Sequence, residues 1–380
     1  MKYRKFGKNG TDTSVFGIGC MRLPLKNGED ESKIDEAEAI RMIRYAIDSG
    51  VNYVDTAYPY HGGESEPLVG KALQDGYRER TKLATKSPVW KVEQYEDFEK
   101  FLDEQLEKLQ TDYVDFYLLH ALSIERWEKM KKLNALAFLD EMKKKGKIKN
   151  AGFSFHDNYP TFKTIVDAYD WDMCQIQLNY LDQEYQAGVK GLQYASRKGI
   201  PVVVMEPLQG GKLAQIPSQD IMELWKSYDE KRSPVEWAFK WLYNFPEVNV
   251  ILSGVSNMEQ LKENIELFDS AEADTMSEEE LKLVDKVRDL YREKIMVPCT
   301  GCDYCKPCPE GVAISTVFEL YNEAVMYDKK EKNARMYNDF LIKNNKDASQ
   351  CVECGNCESA CPQNIAIIEE LKNAHKYLTA

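Results

Sequence analysis

The sequence has no apolar run of about 18 residues, the length a helix needs to cross a bilayer, so no spanning segment is expected. It has no basic excess either. Lys and Arg number 50 against 63 Asp and Glu, a net charge of −13, which disfavours general binding to nucleic acid or to anionic membranes. The opening residues MKYRKFGKNGTDTS are basic but lack the apolar segment of a secretory signal, and a cytoplasmic protein is expected. Also missing are an internal repeat, a linker rich in Gly, Ser or Pro, and the nucleotide fingerprint G-x-G-x-x-G. Gly17-Ile-Gly19-Cys20 is only a fragment of that fingerprint. Cysteine is nearly absent from most of the chain: the first 298 residues hold only Cys20 and Cys174, both read as buried strand residues.

The other eight of the ten cysteines fall between Cys299 and Cys361. In a reducing compartment such a cluster argues for metal rather than disulfides. With 380 residues, 43% of them apolar and 30% charged, the chain has ordinary globular composition and room for more than one domain. The cysteine distribution divides it into residues 1–298 and 299–380.

Within the first region, short apolar runs alternate with amphipathic stretches. Strands are expected at Ser14–Cys20, Val51–Asp55, Thr81–Lys86, Tyr113–His120, Ile148–Ser154, Met173–Asn179, Ile200–Glu206 and Val248–Gly254. Helical spacing lies between them, as in Phe98, Phe101, Leu102, Leu106 and Leu109. A helix is also expected over Ser277–Glu293, opened by a capping-box pattern of Ser277 and Glu280. Strands alternating with helices imply parallel pairing, and eight such units fit an α/β fold of the (β/α)8 TIM barrel type. An open doubly wound sheet is the alternative. Tyr3–Phe6 and Thr11–Ser14, flanking Lys8-Asn9-Gly10, read as a hairpin able to close the barrel floor.

Chemistry in such a barrel sits where the strands end. Asp55, Lys86 and His120 end three consecutive strands, and Tyr58 and Tyr60 follow in the loop DTAYPYHGGESE, where His61 reads as solvent-exposed. A tyrosine with a pKa of about 10 is a poor proton donor near neutrality, and a lysine cation beside it lowers that value. An aspartate would hold the lysine charged and fixed. This set suits protonation of a carbonyl oxygen while hydride reaches the carbon. Taken singly, Asp55 also reads as a helix cap, Lys86 as a surface charge and His120 as a hydrogen-bonded strand end.

DTAYPYHGGESEPLVGKAL, the LATK strand, DYVDFYLLH and GVSNMEQLKENI together resemble the aldo-keto reductase family over about residues 1–298. The resemblance implies Asp55, Tyr60, Lys86 and His120 as a catalytic tetrad. It implies Ser154 and Gln177 as holders of a nicotinamide carboxamide, and Gly254, Ser256, Gln260 and Asn264 as the cradle of the adenosine end. The chain departs from the family's pattern in places: Phe155 and His156 follow the serine, and Met205 stands where a stacking aromatic is usual. Glu206 replaces a serine before the Pro-Leu pair, and Gly254 and Gln260 stand where many members grip the NADP phosphate with Lys and Arg.

The tail carries Cys351-x2-Cys354-x2-Cys357-x3-Cys361-Pro362, the spacing of a bacterial ferredoxin, and Cys299-x2-Cys302-x2-Cys305-x2-Cys308-Pro309, one residue shorter. Resemblance to two-cluster ferredoxins implies two [4Fe–4S] clusters, one on Cys299, Cys302, Cys305 and Cys361, the other on Cys351, Cys354, Cys357 and Cys308. Structural zinc is the alternative. Thr316–Met326 reads as helix, so this domain is expected to be mainly α-helical.

The resulting expectation is an oxidoreductase joining carbonyl or alcohol chemistry to one-electron transfer through the clusters. NAD(P)H is the expected hydride source, with a flavin as alternative, and a ferredoxin or flavoprotein the redox partner. The rival is an iron–sulfur structural, sensory or assembly module on a barrel with little activity.

Overall fold

All eight expected runs form strands because both of their faces are covered: Val202, Val203 and Val204, for example, are fully buried in sequence, as parallel strands between helices require. The computed structural model describes residues 1–380 apart from 8–9, 27–29, 31, 230, 300–304 and 362–363. The strands are β1 (Tyr3–Phe6), β2 (Thr11–Ser14), β3 (Phe16–Gly19), β4 (Tyr53–Asp55), β5 (Lys82–Ser87), β6 (Val114–Leu122), β7 (Ile148–Phe155), β8 (Met173–Gln177), β9 (Val202–Met205) and β10 (Val248–Ser253). β3 to β10 close into a barrel in the order β10-β3-β4-β5-β6-β7-β8-β9, each pair parallel. Closure excludes the open doubly wound sheet.

β1 and β2 pair antiparallel, Tyr3 opposite Ser14 and Phe6 opposite Thr11. The expected turn residues Lys8 and Asn9 lie outside the described residues. Phe6 meets Phe116 at 5.0 Å and Tyr53 at 6.2 Å between ring centroids, and joins the apolar filling of the barrel with Met173, Val203 and Val250. The hairpin therefore plugs the barrel at the end where these strands begin. Inside, Gly17 leaves room that a side chain would take: a Cβ there would stand 2.8 Å from both Leu252 and Val250.

The chain falls into two compact units, 1–210 with 235–277 and 211–234 with 278–380. The first contains the whole barrel. The second is mainly helical, with helices at Gln219–Lys226, Glu278–Glu293, Ile314–Met326, Lys330–Met336 and Ile367–Thr379. Val317, Phe318, Leu341, Leu371 and Ala374 form its core. The Glu280 carboxylate, in the first turn of its helix, accepts from Arg232 Nη1 at 2.6 Å. Among the described residues no helix is long and apolar enough to cross a membrane.

Candidate active site

Three neighbouring strands bring the expected residues together because register between parallel strands places their carboxyl ends side by side. Asp55 ends β4, Lys86 lies in β5 and His120 near the end of β6. Lys86 is 1% exposed and Asp55 2%. The Lys86 Nζ donates to Asp55 Oδ1 at 2.6 Å, to the Thr56 carbonyl at 2.8 Å and to the Tyr60 hydroxyl at 3.3 Å. Burial opposes the charge on Lys86, but the Asp55 carboxylate and the Tyr60 oxygen hold its pKa above the ordinary lysine value. Burial raises the Asp55 carboxyl against the pull of Lys86.

Tyr60 is the tyrosine on this cluster; the Tyr58 hydroxyl instead donates to Glu104 at 3.1 Å. The lysine was expected to lower the Tyr60 pKa, and its pull is present. Burial outweighs it, and the phenol lies above its usual value. The His120 ring stands 6.0 Å from the Tyr60 ring, edge to face. Burial first and Lys86 second hold His120 well below the ordinary histidine pKa, so its ring is neutral. Its Nδ1 is buried without a hydrogen-bond partner among the described residues. His61, expected at the surface, is 6% exposed and its Nε2 accepts the Leu23 N–H at 3.1 Å.

A second layer fixes Lys86 from behind. Gln105 donates to the Lys86 carbonyl at 3.1 Å and to Glu66 at 2.5 Å, and Thr85 donates to the same Glu66 oxygen at 2.6 Å. Burial raises the Glu66 carboxyl. Nothing in the local sequence distinguishes Glu66 from an exposed helical glutamate; only its contacts with Thr85 and Gln105, from elements distant in the chain, do so.

The residues expected to hold a nicotinamide lie on the next strands. Ser154 Oγ accepts the Ala121 N–H at 2.7 Å, and Ala121, directly after His120, has φ 52° at an irregularity in β6. Gln177 donates to Asp182 at 3.3 Å, a carboxylate that also accepts from Asn179 and Gln209. Gln260 Oε1 accepts from Ser256 N at 3.0 Å, while Asn264 turns inward and donates to Ser253 Oγ at 3.2 Å. Gly254 has an occupant that the sequence did not foretell: a Cβ there would meet the Arg22 stem at 3.1 Å, and the Arg22 guanidinium extends toward Gly210. Arg22 follows the β3 run Phe16–Gly19 and is separated from Gly254 by more than half of the chain, so no local pattern could have paired them.

The expectation for the tail is corrected. Among the described residues, no group of three or more His, Cys, Asp or Glu side chains is placed to hold a metal ion. Cys302 and Pro362 lie outside the described residues. Cys299, Cys305, Cys308, Cys351, Cys357 and Cys361 pack against the apolar core of the helical unit, and Cys354 is exposed. Cys305, Cys308, Cys351, Cys354 and Cys357 share the walls of a cavity of about 180 Å³ with Val312, Ile314 and Leu371, without three converging on one point. The described residues thus supply no ligand set for either [4Fe–4S] cluster, and the metal-binding and electron-transfer expectations built on them fall with it.

Residues 16–289 match the family model described as the aldo/keto reductase family, and residues 298–366 match that of a 4Fe-4S dicluster domain. The second match follows the cysteine spacing, which the described residues do not turn into a metal site. The uncharacterized oxidoreductase YqkF of Bacillus subtilis is 28% identical over 77% of this chain and 99% of its own length. The holo form of aldo-keto reductase AKR11C1 from Bacillus halodurans superposes with a TM-score of 0.63 at 26% identity, covering 76% of this chain and 96% of that one. An aldo-keto reductase from Klebsiella pneumoniae, solved in complex with NADPH, gives 0.58 at 22% identity over 76% of this chain and 96% of its own. With the barrel closed and the first family model covering most of the sequence, the chain belongs to the aldo/keto reductase family and is an oxidoreductase.

Proposed function

We propose that the protein reduces the carbonyl group of a small molecule to an alcohol, or runs the reverse oxidation, with NAD(P)H as the hydride carrier and Tyr60 as general acid/base. The observation that carries this reading is the buried Lys86 ammonium set between Asp55 and the Tyr60 hydroxyl, beside a neutral His120. When bound, the reduced nicotinamide supplies a hydride to the carbonyl carbon. Tyr60 gives its proton to the oxygen as negative charge grows there, and Lys86 stabilises the phenolate left behind. Asp55 keeps Lys86 charged and in place. The neutral His120 ring orients the carbonyl oxygen by hydrogen bonding rather than by proton transfer.

The residues present fit a nicotinamide dinucleotide. Ser154 keeps its hydroxyl proton free to donate after accepting from Ala121, and Gln177 keeps its carbonyl oxygen free after donating to Asp182. Gly254, Ser256, Gln260 and Asn264 would receive the adenosine end, and Arg22, laid over Gly254, offers the cation that neither Gly254 nor Gln260 supplies. The Klebsiella pneumoniae relative's NADPH supports the choice of carrier. We place the functional boundary at 298/299, supported by family matches that end at residue 289 and begin at residue 298. A reducing, cytoplasmic setting is supported by Cys20 and Cys174, which stay as buried thiols in the barrel unit.

The test is oxidation of NADPH and NADH, followed at their absorbance, against a panel of small aldehydes and ketones. Turnover that disappears in Tyr60→Phe supports the reading. Turnover with Tyr60→Phe equal to the parent, or no oxidation with any carbonyl, overturns it.

A further inference from the structure

The helix Ile124–Lys132 starts immediately after β6, capped by Ser123, and Arg126 lies in its first turn. A cation there faces the positive end of the helix dipole, so local electrostatics disfavour it. Its side chain nevertheless folds back toward the barrel mouth. The Arg126 Nη1 donates to the Ala121 carbonyl at 2.8 Å, one residue beyond His120, and its guanidinium carbon stands 5.6 Å from the Trp90 ring centroid. Trp90 is 38% exposed and lies 5.3 Å from the His120 ring. Three planar groups, His120, Trp90 and Arg126, thus line one side of the site.

Arg126 is partly buried and, among the described residues, has no carboxylate partner. Arg78 and Arg232, also partly buried, each hold one, Asp115 at 2.9 Å and Glu280 at 2.6 Å. The neighbouring charges do not satisfy Arg126 either. Asp55 is taken by Lys86, and Asp157 accepts the backbone N–H groups of Ile124 and Asn158. In a protein of net charge −13, an unpaired guanidinium beside the reacting groups is an open site for an anion.

We propose that Arg126 determines substrate specificity by binding a carboxylate, so that the preferred substrates are aldehydes or ketones bearing a carboxylate on an apolar body that lies along Trp90. This rests on the carbonyl-reductase reading above. The carboxylate is unchanged in the reaction: hydride from the reduced nicotinamide reaches the carbonyl carbon, the Tyr60 proton reaches the oxygen, and the products are the hydroxy acid and the oxidised nicotinamide.

The test compares 4-carboxybenzaldehyde with its neutral methyl ester, methyl 4-formylbenzoate, in the full-length protein and in Arg126→Met and Arg126→Lys, with NADH and with NADPH. The parent protein is expected to favour the carboxylate by tenfold or more in kcat/KM. The ratio should fall at least tenfold in Arg126→Met, through KM rather than kcat, with part of it kept in Arg126→Lys. Inhibition by 4-hydroxymethylbenzoate, the carboxylate product, should weaken in parallel, a binding readout that does not need turnover. A ratio near one in the parent, or an unaltered ratio in Arg126→Met, overturns the specificity role while leaving the reductase reading intact. Reduction of neither aldehyde by the parent, with no other carbonyl reduced, overturns both.

Discussion

Replacing Asp55 by Asn should destabilise the protein in a manner that depends on pH, and the structure sets both the size and the sign. Lys86 would keep the Thr56 carbonyl at 2.8 Å and the Tyr60 hydroxyl at 3.3 Å but lose the carboxylate that does most to offset its burial. Removing one member of a buried ion pair costs about 3–5 kcal/mol when the other stays charged. The lysine can escape by giving up its proton. From an unfolded-state pKa of about 10.4, at about 1.4 kcal/mol per unit, that escape costs about 4–5 kcal/mol at pH 7 and about 2 kcal/mol at pH 9. A neutral Lys86 has a folded-state pKa below its unfolded value, so the unfolded chain binds one more proton and stability rises with pH. In the parent, the Lys86 pKa is held above its ordinary value, so its contribution stays in place until pH rises through that higher pKa. The stability gap between parent and Asp55→Asn should therefore narrow by up to about 1.4 kcal/mol per pH unit between pH 7 and 9. Urea unfolding at three pH values measures it, with Asp55→Asn combined with Lys86→Met as the control that abolishes the pH dependence. A gap below about 1 kcal/mol, within the range of an exposed pair, or a gap independent of pH, would refute the claim that Asp55 sustains a buried charge.

Tyr60→Phe should lower kcat by roughly 10²–10⁴-fold through loss of the proton donor, whereas Tyr58→Phe, whose hydroxyl serves Glu104, should stay within a few fold in the same assay. Since burial holds His120 neutral, kcat/KM should show no ionisation of this residue between pH 6 and pH 8, and a histidine limb centred near pH 6.5 that vanishes in His120→Asn would contradict this. Gly17→Ala places a Cβ 2.8 Å from Val250 and Leu252 and should cost about 1–3 kcal/mol in urea unfolding. Phe6→Ala should cost about 3–5 kcal/mol by opening the floor of the barrel, with kcat reduced far less than stability.

The barrel was legible in the sequence because parallel strands covered on both faces leave continuous apolar runs, and helices between them leave spacings of three and four. Asp55, Lys86 and His120 could be read as neighbours for the same reason, since each ends a run and adjacent parallel strands end together. Features that depend on packing between distant segments left no local trace. His61 sits in a polar, glycine-rich loop and looks exposed until its ring is found on the Leu23 N–H. The net raising of the Tyr60 pKa follows from how deeply the loop is covered, which its composition does not reveal. Arg22 and Arg126 are ordinary surface residues by sequence, and only the fold lays one over Gly254 and the other against Trp90. The cysteines illustrate the converse error. Their spacing is a strong pattern, but spacing fixes order along the chain rather than convergence in space, and six of the described tail cysteines pack against an apolar core instead.

Ala121 joins three proposed roles at one residue. Its N–H is held by Ser154, the proposed nicotinamide anchor, its carbonyl is held by Arg126, the proposed substrate anchor, and it directly follows His120. Its left-handed backbone, at φ 52°, lets both ends be held at once. With Ser154 and Arg126 in the roles proposed above, cofactor grip and substrate choice share Ala121, and a change at either anchor would reach the other through the φ and ψ of this one residue. Substrate range in this protein would diversify by replacing the β6 loop as a block, since separate substitutions at its three anchors would each disturb the other two.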